Sequence, residues 1–266
     1  MTAILQLLAK GFSAFYLGHS LVSTALPEMV SSALDAPVEY TLINGAPLEI
    51  LWRDSASAQG VDGRTWLPSH PVDAIVLTER VALAPTMEYH ATSDYATRWV
   101  ELAWKANPEV RPYLYETWDE IDDAATGSTR AWRERIISDL ALWQKIADDV
   151  NRNLPDLTHP VEIIPAGLGM IRLEDAAAAG RIPGASSIRD FFGDDIHPNN
   201  DGFYYVAMIH YAVLSGKSPL GLPNVLMGEY GPYPPVARER ARVLQELAQE
   251  TVTAWRSGDQ RPRAQP

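Results

Sequence analysis

The sequence predicts an α/β fold, a three-layer α/β/α sandwich around a central five-stranded parallel sheet. Three observations predict it. Short, almost wholly apolar runs alternate along the chain with longer segments of helical periodicity. The runs are too continuous for strands with one wet face, so they read as strands covered on both sides. Several end in Gly, Asn, Thr or Glu, which would gather on one edge beyond the carboxyl ends of the strands.

Residues 14–17 form the first such run and stop at Gly18. Leu21, Ala25, Met29 and Ala33 then recur at helical spacing, so 18–20 is a tight turn and 21–34 a helix. A second strand is expected over 38–43, ending at Asn44-Gly45-Ala46-Pro47. Residues 50–70, with Gly60, Gly63 and Pro68, read as irregular. Residues 73–78 are nearly all apolar and predict a central third strand. A helix over 93–106 is stopped by Asn107-Pro108, and 111–116 is a fourth strand. The amphipathic pattern over 130–153 predicts a long helix, followed by a fifth strand over 161–165. Helices over 168–179, 199–214 and 235–256 complete the series. With no linker or internal repeat, 1–257 reads as one domain, and the Pro-, Arg- and Gln-rich residues 258–266 as a disordered tail.

Composition narrows the function. A hydrophobic fraction of 46% supplies a core that needs neither a disulfide nor a metal to hold it. The chain has no cysteine, which removes disulfides, zinc–thiolate sites and cysteine nucleophiles together. A formal net charge of −12 repels phosphate backbones, so no nucleic-acid partner is expected. No apolar run approaches the ~20 residues of a membrane span. The apolar stretch over 1–14 carries Lys10 inside it rather than first, and the first strand follows at once, so it does not read as a signal peptide. The expectation is a soluble chain, cytoplasmic as it stands and exported if a signal has been trimmed from it.

Two short segments carry the chemistry. Gly18-His19-Ser20-Leu21 follows the first strand, and Asp194-Asp195-Ile196-His197-Pro198-Asn199 lies far downstream. A serine hydroxyl is a weak nucleophile at neutral pH and needs a base, which in turn needs an orienting acid. The two segments supply those parts in the order Ser, Asp, His.

This arrangement resembles the SGNH hydrolases, also called the GDSL esterase and lipase family, over residues 14–210. In that family the nucleophile stands in a Gly-Asp-Ser-Leu block, and here the Asp is replaced by His19. The resemblance implies a flavodoxin-like sheet order, Ser20 as nucleophile, His197 as general base and Asp194 as its orienting carboxylate. It also implies an oxyanion hole from the backbone N–H groups of Ser20 and Gly45, with no metal and no cofactor. The third block departs. Where the family places Gly-x-Asn-Asp, with the Asn amide as an oxyanion donor, this chain has Leu77-Thr78-Glu79-Arg80. An ionised Glu offers no proton, and losing one such donor costs about 10²–10³ in rate. The Thr78 hydroxyl, the Arg80 guanidinium and the Asn44 amide are the candidate replacements, and Glu79 is expected to hold Arg80 or contact a substrate hydroxyl.

Each reading has a plainer rival. Ser20 fits a helix N-cap as well as a nucleophile. Asp194, Asp195 and His197 suit a divalent ion, but no His-x-His or Glu-x-x-His pairing adds ligands. Asp195 reads as a solvated neighbour and His19 as structural. His90 is placed in a loop after the third strand, as a substrate contact or a surface His. Trp99, Trp104, Trp132 and Trp143 fit helix packing, whereas Trp52, Trp66 and Trp118 fall in loops on the active edge, as do Glu116 and Asp119. The expected activity is hydrolysis of a small acyl ester, first an acetyl, on a glycan or other small-molecule alcohol. The rivals are a lipid ester or thioester hydrolase and a non-catalytic carbohydrate-binding protein on the same scaffold.

Overall fold

The computed structural model describes residues 11–121 and 128–258. The sheet is built from β1 (Ala14–Gly18), β2 (Val38–Leu42), β3 (Gln59–Gly60), β4 (Ala74–Leu77), β5 (Arg111–Glu116) and β6 (Glu162–Pro165), in the order β3-β2-β1-β4-β5-β6. Five strands are parallel, as expected. The expectation of five strands is corrected by one: β3, two residues long, pairs antiparallel with β2 at the edge. Counting the parallel strands alone, the order is second, first, third, fourth, fifth, the flavodoxin-like winding whose direction reverses beside β1.

The strands alternate strictly between two cores. Ala14 and Tyr16 face one and Phe15 and Leu17 the other, and Ala74 and Val76 are likewise opposed to Ile75 and Leu77. This is the period-two pattern of strands buried on both faces. The first core packs α1 (Ala25–Leu34), α7 (Ala166–Ala178), α8 (Asn200–Ser215) and α9 (Arg238–Ser257) against the sheet. The second packs α2 (Leu48–Arg53) and α5 (Thr92–Ala106) on the opposite face. The long α6 (Arg130–Asn153) serves both, giving Trp132, Ile136 and Leu140 to one and Trp143, Ile146 and Val150 to the other. Trp99, Trp132 and Trp143 are buried, while Trp104 is half-buried.

Several segments differ from expectation. The helix after β1 begins at Ala25 rather than residue 21, because residues 21–24 are a turn and Ser23 has φ +50°. Residues 50–70, read as irregular, hold most of α2, then β3 and α3 (Gly63–Trp66). Trp52 and Trp66 therefore sit in helices and not in loops. The segment after β4 forms α4 (Leu83–Tyr89), which places His90 at a helix C-cap. The residues expected to form the tail, apart from Gly258, lie outside the described set. Among the described residues no helix is long and apolar enough to cross a membrane.

Glu116, the last residue of β5, is fully buried, so its expected place on an open substrate edge is corrected. One oxygen accepts the N–H groups of Gly167 (2.7 Å) and Leu168 (3.2 Å) at the start of α7. The other has no partner among the described residues. Burial outweighs those two hydrogen bonds and pushes the carboxyl up to about 8. A carboxyl raised in the fold keeps its proton where the unfolded chain has already lost it. Its stabilising contribution is complete below the unfolded value of 4.5 and is lost as pH rises through about 8. Glu116→Gln is uncharged throughout, so its Tm relative to the parent protein should improve steadily between about pH 5 and pH 8. A Tm difference that stays constant across that window contradicts a neutral Glu116.

Candidate active site

Gly18 ends β1 because a side chain there has no room: a Cβ would lie 2.7 Å from both Thr78 Cγ2 and Val22 Cγ2. The chain then turns, with the N–H groups of Val22 and Ser23 both donating to the His19 carbonyl, and lifts Ser20 to the carboxyl edge of the sheet. The ladder continues on both sides of this turn. Ile43 N–H donates to Gly18 O, and Thr78 N–H donates to Leu17 O. Ser20 is thus flanked by Asn44-Gly45 after β2 and by Glu79-Arg80 after β4, at the crevice where the winding reverses.

The downstream segment reaches the same edge. His197 Nε2 lies 2.8 Å from Ser20 Oγ, and His197 Nδ1 lies 2.7 Å from Asp194 Oδ2. The other Asp194 oxygen accepts the N–H groups of Ile196 (2.8 Å) and His197 (2.7 Å). The backbone N–H of His197, its ring and the N–H of Ile196 hold the Asp194 carboxyl down at about 2. An ionised carboxylate only accepts, so Nδ1 carries the proton, Nε2 is the acceptor, and the Ser20 hydroxyl donates to it. That is the geometry in which an imidazole can take a serine proton.

The loop bearing Asp194 and His197 is fixed from several sides. Gly193 N–H donates to the His197 carbonyl (2.8 Å), closing the loop on itself. Asn199 caps α8 by accepting from Asp201 and Gly202 N–H, the role Asn commonly fills before a helix and one that its position in the sequence signals. Gly202 lets the loop sit on α8, since a Cβ there would lie 2.3 Å from Phe191 O and 2.8 Å from Pro198 Cβ. The Trp118 indole N–H donates to Ile196 O (2.9 Å), and Ile121 N–H donates to Asp195 O. Asp195 is exposed as expected but also pairs with Arg189 (2.9 Å), a residue that no sequence motif marks.

The weaker candidates divide. Trp118 is 1% exposed, so the expectation that it contacts substrate is corrected: it supports the loop from beneath. Thr78 is buried and its hydroxyl donates to Tyr115 O (2.9 Å), which removes it as a replacement oxyanion donor. Glu79 is buried too and does not meet substrate. It accepts the backbone N–H of Arg80 rather than the guanidinium. His19 is buried, and desolvation holds its imidazole down at about 4, hence neutral. Its Nδ1 accepts from Leu21 N–H (3.4 Å) and its Nε2 donates to Glu79 O (3.0 Å), so one tautomer serves both bonds. His90 lies 3.0 Å from Glu49, pinning α4 to α2. Gly45, at φ +70°, and the exposed Asn44 border open space, and neither the Ser20 nor the Gly45 N–H has a partner among the described residues. Arg80 is half-buried, and among the described residues its side chain makes one hydrogen bond, from Nε to Thr86 Oγ1 at 3.4 Å. Among the described residues no three of His, Asp and Glu converge on one point as ligands for an ion.

No protein-family model and no curated protein sequence matches the chain. Two solved structures share its architecture. One is a DUF4886 family protein from Bacteroides uniformis, 13% identical, with a TM-score of 0.59 over 91% of this chain and 95% of that one. Another is designated a GDSL-like lipase, from Parabacteroides merdae, 15% identical, with a TM-score of 0.50 over 78% of this chain and 96% of that one. At such identities the likeness is one of fold. The six-stranded, mostly parallel sheet, its winding order and its flanking helices give the chain an SGNH hydrolase-like fold.

Proposed function

We propose that the protein is a serine esterase in which Ser20 is the nucleophile, His197 the general base and Asp194 the carboxylate that orients it. The single observation that carries this reading is the unbroken chain from Ser20 Oγ to His197 Nε2 (2.8 Å) and from His197 Nδ1 to Asp194 (2.7 Å). Ser20 attacks the ester carbonyl while its proton passes to His197. The tetrahedral oxyanion is met by the N–H groups of Ser20 and Gly45. The imidazolium, stabilised by Asp194, protonates the departing alcohol, and water then repeats the sequence on the acyl-enzyme.

Arg80 supplies the donor that the third block otherwise lacks. The His19 ring, one residue before Ser20, bonds Glu79 O, one residue before Arg80, so the turns that carry Ser20 and Arg80 meet at the crevice. The terminal guanidinium nitrogens of Arg80 have no partner among the described residues. Thr78, the other donor on this strand end, is engaged elsewhere. A permanent cation beside a developing oxyanion stabilises it without proton transfer. The site is also open: the side chains of His197 and Asp194 are 39% and 57% exposed. An open rim suits a small acyl group, acetyl first, carried on a bulky polyhydroxylated alcohol such as a glycan, since only the acyl group need enter.

Labelling, substitution and pH dependence test this. A fluorophosphonate probe should label the parent protein and leave Ser20→Ala unlabelled; equal labelling of both removes Ser20 as nucleophile. Ser20→Ala and His197→Ala should each lower turnover by about 10⁴-fold or more, with the double variant little worse than either, because the two act as a unit. The rate should fall on acidification, because a general base accepts the serine proton only in its unprotonated form. Asp194 is still ionised there, its carboxyl being held at about 2, and Asp194→Asn should lower kcat by about 10⁴. A flat pH profile between about pH 5 and 9, with chemistry limiting, contradicts the base assignment. Finally, Arg80→Ala should lower kcat/KM on p-nitrophenyl acetate about 10²-fold, whatever the leaving group. An unchanged rate assigns the third donor to the Asn44 amide instead.

A further inference from the structure

Glu79 stands where the sequence departs most from the pattern it resembles, and the structure gives this residue more partners than any surface role would need. Its carboxylate is wholly buried. Oε1 accepts Leu48 N–H (3.1 Å), the first residue of α2, and Arg80 N–H (2.7 Å). Oε2 accepts the Thr92 hydroxyl (2.8 Å), the first residue of α5. Its backbone carbonyl accepts His19 Nε2–H (3.0 Å), next to Ser20. Three other segments, 13, 31 and 60 residues away in sequence, meet on this one side chain and its own peptide group.

Two of those segments are helix starts. The first N–H of α2 and the hydroxyl of the first residue of α5 both donate to this carboxylate. Desolvation still raises its pKa, and the bonds from Arg80, Thr92 and Leu48 oppose that rise. A buried acceptor with three donors aimed at it is a rigid fixture, because releasing any one donor leaves it unsatisfied in a medium without water.

We infer that Glu79 is the positioning residue of the oxyanion hole: its carboxylate ties the start of α2, and with it the Gly45 turn three residues earlier, to the Arg80 backbone, while its own peptide carbonyl holds the His19–Ser20 turn. The inference rests on the esterase reading and deepens it. The lost side-chain donor of the third block is exchanged for a clamp that sets the backbone donor of Gly45 and leads the chain directly into Arg80. Glu79 touches no substrate and transfers no proton.

The test compares Glu79→Ala, Glu79→Gln and Glu79→Asp in the full chain, with p-nitrophenyl acetate as substrate. Glu79→Ala should lower kcat about 10²-fold while KM stays within about twofold, since the loss falls on the transition state. Glu79→Gln retains an oxygen that can accept from Leu48 and Arg80, and should recover kcat to within about tenfold of the parent. Glu79→Asp withdraws the carboxylate by one methylene and carries the same test should the alanine variant not fold. Its kcat should fall with KM held. Hydrogen exchange at the Leu48 amide reads the clamp without reference to activity; protection should drop in the Ala and Asp variants and persist in the Gln variant. Parent-like kcat in a variant whose Leu48 amide has lost protection overturns the positioning role, and so does a Gln variant as slow as the Ala variant. Ser20→Ala, measured alongside, separates the two levels. If turnover survives Ser20→Ala, the esterase reading is wrong and the positioning role falls with it. If turnover is lost in Ser20→Ala yet stays at the parent level in Glu79→Ala, only the Glu79 assignment is overturned.

Discussion

β1 lies between β2 and β4, hydrogen-bonded to both and buried on both faces, and the catalytic edge depends on that pairing. Because β1 is held on both sides, the turn that follows it cannot drift. Gly18 is the last residue that fits under Thr78 and Val22, and the chain must leave the sheet there. The neighbouring strands end at almost the same level, so the turns after β2 and β4 border Ser20 without any long loop having to reach it. The sheet thus delivers three of the four segments of the site by register alone.

The fourth segment, carrying Asp194 and His197, is not part of the sheet and is fixed by different physics. Asp194 is exposed and His197 only half-buried, so their alignment does not come from burial. It comes from the loop's own backbone donors, which converge on Asp194 and keep it ionised, and from a buried indole that grips the intervening carbonyl at Ile196. The arrangement suits an open site. The carboxylate can remain close to water because the energetic preference for its ionised form is built into local hydrogen bonds rather than into a desolvated pocket. The buried acids do the opposite work: Glu79 and Glu116 each sit at helix starts inside the protein, where they join elements that the sheet does not pair.

The architecture was legible in the sequence because strands buried on both faces appear as continuous apolar runs, and α6 was legible residue by residue because its 24 residues span many helical periods. The segment over 50–70 was not, since α2, β3 and α3 are each too short to show a period. Ser20, Asp194 and His197 were legible from short local motifs, and the structure brings those residues together. Trp118, Glu79 and Glu116 were misjudged for one reason: each follows or ends a strand, which places it on the right edge, but sequence does not say whether a residue at that edge points outward or inward. Glu79, expected to hold Arg80 or a substrate hydroxyl, does accept the Arg80 backbone N–H, but its other partners are the Leu48 N–H and the Thr92 hydroxyl, supplied from other segments. Long-range hydrogen bonding of this kind leaves no periodic trace.

The most direct test of the central claim is chemical capture of the intermediate. Mixing the protein with p-nitrophenyl acetate, quenching in acid on the millisecond scale and mapping the modified peptide by mass spectrometry reads the covalent step itself. The account predicts one acetyl group per chain, located on Ser20, appearing before steady state and accumulating when water is made the slower acceptor. Turnover with no acetyl group on Ser20, or an acetyl group that maps to a different residue and decays at the rate of turnover, would contradict it.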